Sequence, residues 1–342
     1  MKVGVLTVVS PEGVEREPGD VPVLPGSRGT QVERSRSVAQ QETTTAAISR
    51  ILSESGHEVV EIPVDGCFME RLRDANVDIV FNTYSGATGR AAQFQVCAVM
   101  DLVGVRYTGS CGETHALGLA KHTTKKILRH DGLPTPASQT LYRPDDPVDA
   151  NLRFPLIIKP AREGSSVGIS EDSVVASEYE LRRVLRRILA NYEGPALVEE
   201  FIEGREFTVG VLGNSPPKAL PVVEVDFAAA GRGARGLYSH ELKSQDLVAT
   251  RCPARISPAL TDRLQQLAVA AFRSIECLDY ARVDFRVDSC GQPYILELNT
   301  LPGMKEGYSD FPRAAAAAGY TYQGLILALL GIAAERYGLA GV

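Results

Sequence analysis

An excess of positive charge is missing from this sequence. Its 36 lysines and arginines face 42 aspartates and glutamates, giving a net charge of −6 and a pI of about 5.5. That balance argues against nucleic acid or an anionic membrane as a partner. Paired cysteines are missing too. Six are scattered at positions 67, 97, 111, 252, 277 and 290, with no C-x-x-C spacing and no histidine cluster beside them. This disfavours a disulfide frame or a zinc site; free, mostly buried thiols in a reducing compartment are expected. The longest late apolar run, 325–334, falls short of the ~20 residues a bilayer-spanning helix needs. The opening run Met1-Lys-Val-Gly-Val-Leu-Thr-Val-Val is too short for a signal peptide and leads into Pro, Glu and Gly. A cytoplasmic protein is expected. No G-x-x-x-x-G-K-[ST] phosphate loop occurs. The G-x-G-x-x-G at Gly231–Gly236 has no apolar strand leading in and no helical pattern leading out, so it is not read as a dinucleotide fingerprint.

What is there is an ordinary globular composition, 44% hydrophobic and 23% charged, long enough for roughly two to three domains. Residues 2–9 read as a buried strand, and 11–32, rich in Pro, Gly and charge, as a long loop. A helix over 37–55, a strand over 57–63, a helix over 68–76 and a strand over 77–82 follow. This β-α-β order predicts a parallel sheet with covering helices. The polar loop 83–92 then lies at the sheet's C-terminal edge, where open α/β sheets bind ligands. A helix over 93–103 closes a first domain near residue 109. One helix is expected over 113–131, carrying Lys121, Lys125 and Lys126. The Arg-rich run from Leu181 follows Glu178 and Glu180 at helical spacing and reads as a solvated helix face with internal ion pairs. Helices are also expected over 258–276 and 321–337, with a Pro/Gly loop over 302–313.

Two stretches carry chemistry. The first is Tyr280-Ala-Arg-Val-Asp-Phe-Arg-Val followed, after a turn, by Pro293-Tyr-Ile-Leu-Glu-Leu-Asn-Thr. Both flanks alternate as half-buried strands do. Val283, Phe285 and Val287 share one face, and Arg282, Asp284 and Arg286 the other. On the return strand Tyr294, Leu296 and Leu298 are expected on the apolar face, Glu297 and Asn299 opposite. A four-residue loop, 289–292, would set Asp284 across from Glu297 and Arg282 across from Asn299. Facing carboxylates repel unless a cation lies between them. Asp284, Glu297 and Asn299 are therefore read as a magnesium site, with Arg282 a fixed cation beside it. The second stretch is a strand ending in Lys159, then Ala161-Arg-Glu-Gly-Ser-Ser-Val-Gly168. Small residues there let backbone N–H groups turn toward an anion, and with the lysine they make a phosphate clamp. Ala196 to Val209 reads as strand, acidic turn and strand, a hinge suited to a sugar or base.

Together these motifs resemble the ATP-grasp enzymes, and among them the D-alanine–D-alanine ligase family. The matching pieces are Lys159-Pro-Ala-Arg-Glu-Gly-Ser-Ser-Val-Gly, Val198-Glu-Glu-Phe-Ile-Glu-Gly-Arg-Glu-Phe-Thr-Val, Ala281-Arg-Val-Asp and Glu297-Leu-Asn-Thr-Leu-Pro-Gly-Met, with Tyr107-Thr-Gly-Ser and Cys252-Pro-Ala in support. The resemblance implies an α/β fold in three parts: a Rossmann-like substrate domain over 1–109, a central lobe over 110–197, and a C-terminal lobe over 198–342. ATP would bind between the two lobes. Lys121 and Lys159 would contact phosphates. Glu199 and Ile202 would form the adenine-side hinge, and Glu206 would hold the ribose. Ser165 and Ser166 would sit in a small lid, and Lys243 in a larger loop closing on the γ-phosphate. Asp284, Glu297 and Asn299 would bind Mg²⁺, with Mn²⁺ the alternative ion, and Arg282 would stabilise a tetrahedral oxyanion. A homodimer is implied as well.

The departures fall in the substrate pockets. Ser244 stands where the family has a tyrosine. Lys305-Glu-Gly-Tyr-Ser replaces a Ser/Thr segment beyond Gly303, leaving Tyr308 or Ser309 at the serine that binds the second carboxylate. Tyr84 is nearest to a family histidine. The ammonium-binding glutamate is either Glu33 or Glu42. The expected activity is ATP-dependent amide-bond formation between two small amino acids, or an amino acid and an amine, in specialised metabolism. A D-alanine–D-alanine ligase of cell-wall synthesis is the alternative, and a nucleotide-binding protein without catalysis the alternative of another class.

Overall fold

The computed structural model describes residues 1–8, 43–85, 91–162, 168–192, 194–227 and 249–339. By internal contacts the chain divides into two compact units. One comprises Met1–Thr108, Gly303–Ser309 and Tyr322–Val342, the other Gly109–Pro302 and Asp310–Thr321.

The first unit is built on strand β1 (Lys2–Val8), which pairs in parallel with β2 (Glu58–Val64) on one side and β3 (Ile79–Phe81) on the other. An apolar strand covered on both faces suits this central position. Helix α1 (Thr44–Glu54) starts where the Thr43 hydroxyl accepts from Ala46 N at 3.2 Å. It buries Ala47, Ile48, Ile51 and Leu52, one stripe at helical spacing. Helices α2 (Phe68–Ala75) and α3 (Ala91–Val103) follow. Leu6, Ile62, Phe68, Leu72, Val80, Val96, Met100 and Tyr107 make the core. The last helix of the chain, Tyr322–Arg336, belongs to this unit, and its Arg336 donates to Tyr107 O at 2.9 Å. The loop read over 11–32 lies outside the described residues.

The second unit opens with α4 (Gly112–Leu119) and α5 (Lys121–His130). One continuous helix was expected here. Ala120, at φ −86° and ψ 71°, leaves the helical region and breaks it. The Thr124 hydroxyl donates to Leu117 O at 2.5 Å, a carbonyl that also accepts from Ala120 N at 3.0 Å. The break makes Lys121 the first residue of α5. Two antiparallel sheets follow. The smaller orders β4 (Ser138–Leu141), β7 (Ala196–Glu200), β5 (Leu156–Pro160) and β6 (Val174–Val175). Helix α6 (Glu178–Asn191) covers it with Leu181, Val184, Leu185 and Ile188, while Arg182 pairs outward with Glu178 at 3.0 Å. The basic run is thus a solvated helix face, as its spacing implies. The larger sheet orders β11 (Ala249–Arg251), β10 (Val223–Asp226), β8 (Gly204–Leu212), β12 (Tyr280–Asp288) and β13 (Pro293–Asn299), with β9 (Lys218–Ala219) on β8. Helix Pro258–Ser274 packs Leu264, Leu267, Ala268, Ala271 and Phe272 against it. The loop expected over 302–313 is shorter than read, because a helix begins at Asp310.

All six cysteines are free. Only Cys97 and Cys277 are buried, and Cys67 and Cys290 are exposed, so the expectation of mostly buried thiols does not hold. Among the described residues no single helix is long and apolar enough to cross a membrane.

Candidate active site

The hairpin of β12 and β13 sets Arg282 opposite Asn299 and Asp284 opposite Glu297. This is the register expected from the sequence, but it is reached differently. Near the turn the pairs are Val287 with Pro293, Arg286 with Tyr294 and Phe285 with Ile295, one residue out of step with a four-residue loop. A β-bulge between Asp284 and Phe285, with Leu296 as the extra residue, restores the step at the site. The bulge also overturns the alternation read for β13. Ile295 and Leu298 enter the core with Val283, Phe285 and Val287, whereas Tyr294 and Leu296 do not. Strand alternation has period two and a bulge resets its phase, which no period-two reading includes.

On the polar face, Asp284 is held by three groups. Arg282 grips it with two hydrogen bonds, Nε to Oδ1 and Nη2 to Oδ2, both 2.9 Å. The Thr208 hydroxyl donates to Oδ1 at 2.6 Å and Asn299 Nδ2 to Oδ2 at 2.8 Å. Glu297 pairs with Lys121 Nζ at 2.9 Å. Burial pushes the Glu297 carboxyl up, but Lys121, Lys159 and Arg282 outweigh it and hold the group well below the usual carboxylate range. Burial works against the Arg282 guanidinium, yet Asp284 more than compensates and its pKa is raised. Both groups stay ionised.

A second knot lies on β5, β7 and α5. Glu199, 2% exposed, receives Lys159 Nζ on Oε1 at 2.5 Å and Lys125 Nζ on Oε2 at 3.0 Å. Lys125 also donates to Thr135 Oγ1 at 2.8 Å, and Thr135 passes a hydrogen bond to Ile295 O on β13. Burial lowers the Lys125 ammonium to about 8. Burial alone would raise Glu199, but the two lysines hold it below its ordinary value. Lys125 was not singled out from the sequence, although its i+4 spacing from Lys121 puts both on one face of α5.

Beyond the bulge, Arg286 closes on the return turn of β7 and β8. Its Nε and Nη2 both donate to Glu206 Oε2, at 3.2 and 3.0 Å, and its Nη1 donates to Ile202 O at 3.1 Å. The guanidinium lies 5.0 Å from the Phe201 ring centroid and 5.8 Å from that of Phe227. A hollow of about 310 Å³, lined by Pro155, Val174, Phe201, Glu203 and Gly204, opens at the same turn. Burial raises the Glu206 carboxyl against the opposing pull of Arg286.

Lys121, Lys159, Glu199, Ile202, Glu206, Arg282, Asp284, Glu297 and Asn299 thus all belong to the second unit. The other expected site residues belong to the first unit or lie outside the described residues. Tyr84 is 4% exposed and packs in the apolar core of the first unit. Gly303, Tyr308 and Ser309 form a turn of the first unit, in which Lys305 N donates to Ser309 Oγ at 3.1 Å. A Cβ on Gly303 would come within 2.9 Å of that hydroxyl. Glu33, Glu42, Ser165, Ser166, Lys243 and Ser244 lie outside the described residues.

Known proteins match this chain along most of its length. The family model described as D-ala D-ala ligase C-terminus matches residues 127–331. An uncharacterized protein, y4sG, of Sinorhizobium fredii is 38% identical over 261 residues, covering 76% of this chain and 75% of its own. The D-alanine–D-alanine ligase of Pelotomaculum thermopropionicum is 33% identical over 330 residues, covering 93% and 98%. Among solved structures, the D-alanine–D-alanine ligase of Bacillus anthracis complexed with ATP aligns over 100% of both chains with a TM-score of 0.71 at 22% identity, a likeness of fold. The chain belongs to the D-alanine–D-alanine ligase family of ATP-grasp enzymes, and it is an ATP-dependent, ADP-forming carboxylate–amine ligase.

Proposed function

We propose that this chain joins two small amino acids into a dipeptide through an acyl phosphate, with ATP held in the second unit. The observation that carries the reading is the facing pair Asp284 and Glu297, ringed by Lys121, Arg282 and Asn299. Every present partner of the two carboxylates is a cation, an N–H or an O–H donor. Two carboxylates and a carboxamide are hard oxygen ligands of the kind Mg²⁺ takes, and Mn²⁺ is the alternative. Among the described residues no group of three or more His, Cys, Asp or Glu could hold a metal by itself. Substrate phosphates would complete the shell, the usual arrangement for Mg²⁺. When bound, the ion would neutralise phosphate charge and polarise the transferred group.

The residues divide the work as follows. Lys121 and Lys159 would take phosphate oxygens, exchanging their carboxylate partners for the nucleotide. Glu206 would accept from the ribose, and Glu199 with Ile202 would border the base. One substrate carboxylate takes the γ-phosphoryl group and ADP is released. The amine of the second substrate attacks the acyl carbon, loses a proton, and expels phosphate. Arg282, fixed by its two bonds to Asp284, would face the oxyanion of that step. An acyl phosphate hydrolyses in water, so the reaction needs solvent excluded, the part this reading gives to Ser165, Ser166, Lys243 and Ser244. The central lobe over 110–197 and the C-terminal lobe over 198–342 would close on ATP, and 1–109 is the substrate domain of this reading. A cytoplasmic homodimer with small-molecule partners goes with this reading, and light scattering tests the dimer.

The names of the relatives support D-alanine on both sides of the bond. A specific feature favours a different pair in specialised metabolism: Lys305-Glu-Gly-Tyr-Ser follows the Pro-Gly-Met, and Ser244 follows Lys243. The test is ADP and phosphate release with ATP and Mg²⁺ over D- and L-amino acids, singly and in pairs. Fast release with D-alanine alone selects cell-wall synthesis. Release only with an unlike pair selects a hetero-ligase. No release with any amino acid sinks the dipeptide reading.

A further inference from the structure

Arg286 has no part in the chemistry described above, yet its side chain is only 3% exposed and four separate groups converge on it. It takes the Ile202 carbonyl with Nη1, the Glu206 carboxylate with Nε and Nη2, and lies over Phe201 and Phe227. These are the features a nucleoside needs along one edge: aromatic surface, a main-chain acceptor, and a carboxylate for hydroxyl groups. Both guanidinium bonds to Glu206 end on the same oxygen, Oε2. The other oxygen, Oε1, takes neither of them. A guanidinium is a planar, pre-organised fork, and its two bonds pin Oε2 in place, which narrows the arc on which Oε1 can lie. The bulge at Leu296 contributes as well, because Arg286 pairs with Tyr294 on the turn side of the bulge and Asp284 with Glu297 on the other side.

We propose that Arg286 is the positioning residue of the nucleoside end of the site: it turns Glu206 so that Oε1 receives a ribose hydroxyl, and so sets selection for a ribonucleotide. The inference rests on the ATP site proposed above and deepens it. Arg286 acts through Glu206 and leaves the transferred phosphoryl group to other residues. Its loss therefore weakens nucleotide binding and discrimination while sparing the rate at saturation.

The experiment is calorimetric binding of Mg²⁺ with ATP, 2′-deoxy-ATP and 3′-deoxy-ATP to the full chain, wild type and Arg286→Met, with kcat and KM for ATP measured alongside. Wild type is expected to bind ATP more tightly than at least one deoxy form. The variant is expected to bind ATP about tenfold more weakly, the scale of a lost charge-assisted hydrogen bond, to bind all three nucleotides alike, and to keep kcat within about twofold. Equal weakening towards all three, with discrimination intact, overturns the proposal, as does a fall in kcat with KM unchanged. Wild type that binds ATP without discriminating overturns it too. Wild type that binds no nucleotide overturns the ATP site itself, a separate outcome. If Arg286→Met does not fold, Arg286→Lys keeps the charge and loses the fork; it is expected to discriminate less than wild type, and full discrimination refutes the role.

Discussion

The buried knot of Lys125, Glu199 and Lys159 allows a prediction with a worked sign. Two ammoniums share one carboxylate, and Lys125 is 1% exposed. Burial lowers Lys125 from 10.5 to about 8, so the folded protein releases this proton sooner than the unfolded chain does. Between those values the unfolded state binds more protons, and stability from this group rises with pH. The contribution is present above the unfolded value and is lost as pH falls through about 8. Across the window it amounts to about 3 kcal/mol. Replacing Lys125 with Met removes the titration, leaves Glu199 paired with Lys159, and leaves the Thr135 hydroxyl still donating to Ile295 O. At pH 7 the lost bridge and the lost desolvation cost roughly offset, and the variant should lie within about 1 kcal/mol of wild type. Glu199→Gln is different, because it leaves both ammoniums buried without a counter-charge and should cost about 3–5 kcal/mol.

The chain has no tryptophan, so urea unfolding followed by far-ultraviolet circular dichroism is the suitable assay. It should be run at several pH values from 7.5 to above 10 (the wild-type and Lys125→Met proteins side by side, so that all other titrating groups cancel). The difference in unfolding free energy should move in favour of wild type by about 3 kcal/mol from the low to the high end. Parallel curves would show that Lys125 is not titrating as a buried cation. An Arg-like insensitivity of the knot to Glu199→Gln would refute the counter-charge argument separately.

The remaining predictions concern other parts of the second unit. Asp284→Asn should cut ATP turnover by at least about a thousandfold, since it removes the anion that anchors Arg282 and faces Glu297; an unchanged rate in the ADP-release assay would sink the metal reading. Gly204→Ala should cost about 3 kcal/mol, because a Cβ there would sit 1.9 Å from Val287 O at a φ of +153°, and both obstacles are backbone; a melting temperature equal to wild type would contradict it. Asp279→Ala should cost a similar amount, roughly 3 kcal/mol, because the buried carboxylate accepts from Gly109 N and Asn214 Nδ2, each at 2.8 Å; an unchanged urea midpoint would contradict it. Chelation with EDTA should stop turnover reversibly, and activity that survives exhaustive chelation would remove the ion from the mechanism.

How much of this was legible in the sequence differs from residue to residue, and the differences have physical causes. The parallel sheet of the first unit follows from β-α-β order and apolar strands, both local signals. The face shared by Arg282, Asp284 and Arg286 follows from alternation alone, and the position of Lys159 from the end of an apolar strand. The break at Ala120 was not legible: both flanks have helical patterns, and the bond that spans the break, from the Thr124 hydroxyl to Leu117 O, is made by a side chain that no helical period marks. The role of Thr208 was hidden for another reason. It sits in an ordinary strand sequence, and only the pairing of β8 with β12 brings its hydroxyl to Asp284. The hairpin shows how a correct result can come from an incomplete cause. A four-residue loop places Asp284 opposite Glu297 by counting alone, yet the turn pairs one residue short and the bulge at Leu296 makes up the difference. Counting fixed the residues that face each other but misassigned the residues behind them, so Tyr294 and Leu296 were put in the core that Ile295 and Leu298 fill. That bulge lets the strand keep two phases: on the turn side Arg286 reaches the Ile202 carbonyl and Glu206, while across it Asp284 and Glu297 face each other. Deleting Leu296 should therefore do more than shorten a strand. It should straighten β13: Phe285 stays opposite Ile295, and Glu297, now the next residue along, stays opposite Asp284 in regular pairing, so Mg²⁺-dependent ADP release should persist in a variant that folds, and its abolition would show that the bulge itself shapes the site.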